Sequence, residues 1–103
     1  MSSTGIDLIA QERRRQKVTE GFSLEGDCGQ SAALARAAAC YSQVAVDVLL
    51  VGKDAIHWIP ELWPFHYDEW KPSEDPKKNL IKAGALLAAS LDALDMEEDD
   101  ELP

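Results

Sequence analysis

The sequence predicts an all-α fold of three main helices, with a long aromatic, proline-rich loop between the second and the third. Three observations carry that prediction: apolar residues recurring at helical spacing, a run of alanines, and an Asp75-Pro76 start signal before a third periodic stretch. The chain has 103 residues, one domain's length, with 46% hydrophobic and 28% charged residues, the balance of a globular protein. A core of this size buries a modest share of the surface, so a homodimer or larger assembly is expected to help.

The first helix is expected to begin after Ser3-Thr4, which can cap it, and to run to about Glu20 before Gly21. Ile6, Ile9 and Ala10 mark a buried stripe. Continued at spacings of three and four, that stripe lands on Arg13, then Gln16 and Lys17, then Glu20. The inner face turns polar halfway along, which a bland surface helix would not need.

The second helix is predicted over Ser31 to Val51. Leu34, Ala37, Ala38, Tyr41, Val44, Ala45 and Val48 recur at helical spacing, and the alanines let a neighbouring helix come close. Gly52 is its natural stop. In the third helix Asp75 caps, Pro76 takes the first position, and Leu80, Gly84, Leu87, Leu91 and Leu94 form a heptad-like seam expected to bury against other helices. The domain is read as residues 1–95. Residues 96–103 are read as an acidic, disordered tail, since acids at a helix C-terminus oppose its dipole.

Between helices two and three, Lys53 to Asp75 holds Trp58, Trp63, Phe65, Tyr67 and Trp70, both histidines and three of the five prolines. A loop of about 20 residues in a compact domain is usually functional or disordered. So aromatic a segment should pack on the helices or cover a ligand. Its flat rings suit stacking on a base, with Trp63 and Trp70 the first choices, while the plainer reading makes them the core that an alanine-rich helix two lacks.

Charge narrows the partners. The net charge is −9, but Asp95 to Glu101 supply six of the 19 acids, so the first 94 residues hold 10 basic against 13 acidic residues, a balance of −3. The total argues against duplex nucleic acid. An anionic small molecule remains compatible, because three basic groups stand out on helices one and three. Arg13, Arg14 and Arg15 fan around helix one so that at least one points inward or toward a partner. Lys77 and Lys78 in the first turn of helix three, with Lys82 a turn later, suit an anion. The plainer readings are a solvated charged helix and solvated lysines offset by Glu74 and Asp75.

No membrane span and no signal peptide are expected, and Cys28 and Cys40, without CxxC spacing, are expected as reduced thiols in a cytoplasmic protein. Cys28, Cys40, His57 and His66 match no zinc spacing, and there is no phosphate-cradling GxxxxGK[ST] loop. No cofactor is expected.

The order of motifs resembles a family of small phage and prophage proteins. It is carried by Glu12-Arg13-Arg14-Arg15-Gln16, Glu20-Gly21-Phe22, the Leu34 to Tyr41 segment, Trp63-Pro64-Phe65, Trp70-Lys71-Pro72 and Lys82-Ala83-Gly84-Ala85-Leu86, spanning about residues 6–95. The resemblance implies an all-α fold, a phage or prophage source, and a distant likeness to the MazG nucleotide pyrophosphohydrolases. Where the family usually carries H-D-D-x-H-x-x-G-E-L, only Asp27 and Leu34 match, and Ala33 and Ser90 stand where acids are usual. Magnesium-dependent hydrolysis needs several helical carboxylates, so the loss points to binding without catalysis.

The expected function is therefore binding of a nucleotide-like ligand, with sequestration of a host defence signal as the implied role. Arg13, Arg15 and Lys82 are expected on phosphate and Trp63 and Trp70 on a base. Glu12, Gln16, Asp27, Tyr41, Lys71 and Lys78 complete the candidate contacts. Two alternatives stand beside it. One is a MazG-like pyrophosphohydrolase, the only case calling for Mg2+. The other is a module docking host proteins through the aromatic loop and acidic tail.

Overall fold

A computed structural model of the protein describes the backbone of residues 4–19, 30–56 and 58–101. Those residues fold as the sequence predicts, into three helices without a strand: α1 Gly5–Thr19, α2 Ser31–Val51 and α3 Pro76–Glu101. Each boundary that the sequence signals has a local cause. Thr4 Oγ1 accepts the Asp7 N–H at 3.2 Å and Asp7 Oδ2 accepts the Thr4 N–H at 3.3 Å, a reciprocal box at the start of α1. Gly52 ends α2 with φ 107°, a left-handed conformation that side chains disfavour, and its N–H donates to Val48 O at 2.8 Å. At α3, Asp75 Oδ1 accepts the Lys77 N–H at 2.9 Å, and Pro76 sits in the first turn, where its missing N–H costs nothing.

Helices α2 and α3 pack face to face, and α1 packs against α3. The core between α2 and α3 is built mostly from small residues: Ala37 and Ala38 with Leu34, Tyr41, Val44 and Val48 on α2, and Ala83, Ala89 and Ala93 with Leu86 on α3. Here the expected seam is corrected. Leu80, Leu87, Leu91 and Leu94 are exposed, Leu91 by 63%. The alanine face is buried instead because two small-residue surfaces approach closely, whereas a leucine seam would hold the helices apart. Gly84, the seam's one small member, receives α1: a Cβ there would lie 2.5 Å from Ile9 Cδ1.

Helix α3 is described to Glu101, past the end of its apolar pattern at Leu94. The i→i−4 ladder needs no apolar seam to continue, and Glu is a good helix former. Helix α2, with 21 residues, is long and apolar enough by composition to cross a membrane, against the expectation that no stretch approaches that length. Its Leu34 to Val48 face is the core surface against α3.

The segment after α2 starts with a 3-10 turn at Lys53–Ala55, and a second 3-10 turn spans Tyr67–Glu69. Ile56, Trp63, Phe65 and Trp70 pack on the core, while Trp58 and Tyr67 are exposed. The far end of the loop is clamped by Asn79, whose side chain is buried in α3. Its Oδ1 accepts the Ser73 N–H and its Nδ2 donates to Ser73 O, both at 2.8 Å. This two-bond grip fixes where the loop rejoins the helices.

Candidate ligand cavity

The inner stripe of α1, the middle of α2 and the aromatic loop meet over α3 around a cavity of about 260 Å³. That is near the lower bound for small-molecule sites and fits one ring system better than a dinucleotide. Tyr41, Trp63, Phe65 and Leu86 give it apolar walls, and Gln16, Glu69, Lys71 and Lys82 give it polar ones.

Tyr41 organises the walls. It is buried, with Trp70 tilted against it at 4.7 Å between ring centroids and Trp63 edge-on at 5.7 Å. Trp63 meets Trp70 at 5.0 Å and Phe65 edge-on at 5.5 Å, and its indole N–H donates to His66 O at 2.9 Å. The rings supply the core that the alanine-rich α2 lacks. Trp63 and Phe65 complete the core and also line the cavity, whereas Trp70 lies behind Tyr41 and Trp63 and does not line it. The Tyr41 hydroxyl oxygen accepts the Lys71 backbone N–H at 3.2 Å, tying the loop to α2.

The basic residues separate into two groups. Lys82 Nζ sits over the Tyr41 ring, 5.0 Å from its centroid, and both Lys82 and Lys71 line the cavity. The arginines are engaged elsewhere. Arg13 turns inward as the stripe predicts, with only 8% of its side chain exposed, and Nη2 donates to Asp92 Oδ2 at 3.1 Å. Arg15 lies along Glu12, with Nε to Oε1 and Nη2 to Oε2 both at 2.7 Å. Lys78 is exposed and outside the cavity. The first N–H groups of α3, expected to suit an anion, are taken by Asp75: its side chain accepts from Lys77 and its carbonyl oxygen from Lys78 and Asn79. Asp27 lies outside the described residues.

Gln16 gives the cavity a polar wall, with Glu12 bonded behind it. Gln16 is fully buried and its Nε2 donates to Glu12 Oε2 at 3.3 Å, while its Oε1 has no hydrogen-bond partner among the described residues. Hydrogen bonds from Arg15 hold the Glu12 carboxyl below its ordinary value, against the opposing effect of burial, aided by the Arg15 charge, Gln16 and the Lys82 charge. Glu12 is therefore an anion that keeps Lys82 company without filling the cavity.

Thus Gln16, Tyr41, Trp63, Lys71 and Lys82 converge, with Glu12 and Trp70 supporting them from behind. Sequence reading missed Phe65, Glu69 and Leu86. Phe65 had a signal in the Trp63-Pro64-Phe65 motif. Glu69 had none, since only the turn at Tyr67–Glu69 brings it to the cavity.

Among the described residues, no three His, Cys, Asp or Glu side chains gather as metal ligands. Ser90 donates from its hydroxyl to Ser31 O at 2.7 Å and joins α3 to the start of α2. Cys40 is buried, and desolvation pushes its thiol above the ordinary value, which makes it a poor nucleophile. No family model matches the chain, nor does any curated protein or solved structure.

Proposed function

We propose that this protein is a small helical binder of a nucleotide-like anion, with a base against Tyr41, Trp63 and Phe65 and its phosphate reached by Lys71 and Lys82. The supporting observation is that convergence: two lysines beside edge-packed aromatic rings around a cavity of about 260 Å³. An aromatic wall gives base-stacking area, and ammonium groups give charge-assisted hydrogen bonds to phosphate oxygens. Glu69 at the same cavity offsets part of the positive charge and tells against a highly charged polyphosphate. In the phage setting that the motif resemblance implies, the protein works in the host cytoplasm by sequestering a signal of this chemistry. The hydrolase alternative needs clustered carboxylates that the described residues do not bring together.

Titration calorimetry with nucleoside monophosphates, cyclic nucleotides and ADP-ribose-type molecules tests the proposal. Binding is expected from at least one of them, with a loss of about tenfold in Lys82→Ala from the missing charged contact. A folded sample that gives no heat with any of them overturns it.

A self-association reading has its own observation. The unpartnered Leu80, Leu87, Leu91 and Leu94 stripe lies between a basic end at Lys77 and an acidic end at Asp95. Two copies laid antiparallel along this stripe would bury the leucines and place each Lys77 near the other copy's Asp95. A second copy of the chain is therefore the occupant that this face fits best.

A further inference from the structure

Within the binding reading above, on which this inference rests, the buried amide of Gln16 specifies which edge of a base the cavity accepts. Gln16 is 0% exposed, lines the cavity, and has one satisfied end and one unsatisfied end. The satisfied end is Nε2, which donates to Glu12 Oε2. Glu12 cannot exchange roles with it. A carboxylate that takes two hydrogen bonds from the Arg15 guanidinium is held ionised, and an ionised carboxylate has acceptors only. If the Gln16 amide flipped, its oxygen would face that carboxylate and two acceptors would oppose each other. Arg15, Glu12 and Gln16 thus form a relay with a fixed direction, which leaves Oε1, buried and without a partner among the described residues, as the acceptor end of a side chain that lines the cavity.

A buried acceptor without a donor is costly, and native proteins rarely leave one so. The cavity has the walls for a flat ring and the lysines for an anionic group, so the missing donor falls to the ring edge. We infer that Gln16 Oε1 accepts a hydrogen bond from the ligand, and that the cavity selects nucleotides whose base presents an amino or ring N–H there over bases that present none. Gln16 is in that case a specificity-determining residue, with Glu12 and Arg15 positioning it.

Calorimetry with two ligand pairs tests this in the wild-type protein. AMP is compared with purine riboside 5′-monophosphate, which keeps the ring and lacks the amino group, and UMP with its N3-methyl derivative, which lacks the ring N–H. Whichever parent binds is expected to bind its counterpart about tenfold or more weakly. In Gln16→Met, similar in shape but without the acceptor, the pair is expected to become nearly equal. In Glu12→Gln, which frees the amide to turn, the gap is expected to narrow. Equal binding within the pair in the wild-type protein overturns the inference while leaving nucleotide binding intact. A gap that persists undiminished in Gln16→Met also overturns it, since the discrimination would then be steric. Absence of binding by every nucleotide removes the binding reading and this inference together. If Gln16→Met fails to fold, Glu12→Gln takes its place, and a gap that stays undiminished there overturns the inference.

Discussion

Glu12 couples the charge of α1 to the cavity, and its titration should be visible in stability. The Arg15 hydrogen bonds lower its value in the folded protein below the ordinary 4.5. A depressed carboxyl stabilises the fold fully above the unfolded value, and that contribution is lost as pH falls through the folded value. Urea unfolding from pH 7 to pH 3 is therefore expected to show wild-type stability declining below about pH 4.5, with a shallower decline in Glu12→Gln. Parallel declines in the two proteins would show that Glu12 is not the group responsible. The inward turn of Arg13 and Gln16 was legible at this scale, because spacings of three and four carry Ile9 to both, whereas Ile6 and Lys17, expected on the same stripe, are exposed. The partners of Arg13 and Gln16 were not legible. Arg13 meets Asp92 across 79 positions of sequence, and Gln16 reaches the Lys82 and Trp63 walls only when α1 lies on α3.

Among the helices, the close approach of α1 to α3 is tightest at one pair, Ile9 and Gly84, beside the Arg13–Asp92 ion pair. Alanine at position 84 gains roughly 1 kcal/mol of helix propensity over glycine. Its Cβ, however, would stand 2.5 Å from Ile9 Cδ1 and 2.7 Å from Cγ1, and overpacking of that kind costs about 1–3 kcal/mol. Gly84→Ala is expected to destabilise the protein by about 1 kcal/mol, and in an Ile9→Ala background the same change should become neutral or stabilising. Thermal or urea unfolding of the four proteins in that cycle measures the coupling, and additive effects would disprove the contact. Helix ends were legible from local chemistry, since Thr4, Asp75 and Gly52 act within a few residues of themselves. The buried face of α3 was not. Its leucines repeat at heptad spacing, but α2 presents alanines, and the close fit of small faces outweighs the greater apolar area of a leucine stripe.

The whole molecule measures 50 × 39 × 21 Å, about two helices thick, so each helix keeps an outward face. On α3 that face is the leucine stripe. Sedimentation of the wild-type protein is expected to show a dimer that weakens with salt, with a melting temperature that rises with concentration. Leu87→Glu with Leu91→Glu should yield a folded monomer, because both side chains are already exposed and their replacement leaves the core unchanged. A wild-type protein that stays monomeric at high micromolar concentration overturns the self-association reading. Net charge also changes meaning at this scale. The −9 is largely the acidic end of α3, while Lys71 and Lys82 gather on the cavity, so an acidic chain still presents a site suited to an anion.

The sequence by itself determined the helices, most of their ends, and part of the cavity lining, namely Gln16, Tyr41, Trp63, Lys71 and Lys82. Those features depend on short-range physics: backbone hydrogen bonds, caps, and the helical repeat that assigns residues to one face. Tertiary structure alone decided which face of α3 is buried, that Arg13 pairs with Asp92 while Lys71 and Lys82 reach the cavity, and that Trp70 buttresses the wall that Trp63 and Phe65 form. Those outcomes depend on how closely two helices approach and on which charge lies nearest in space. Neither quantity is a function of spacing along one chain.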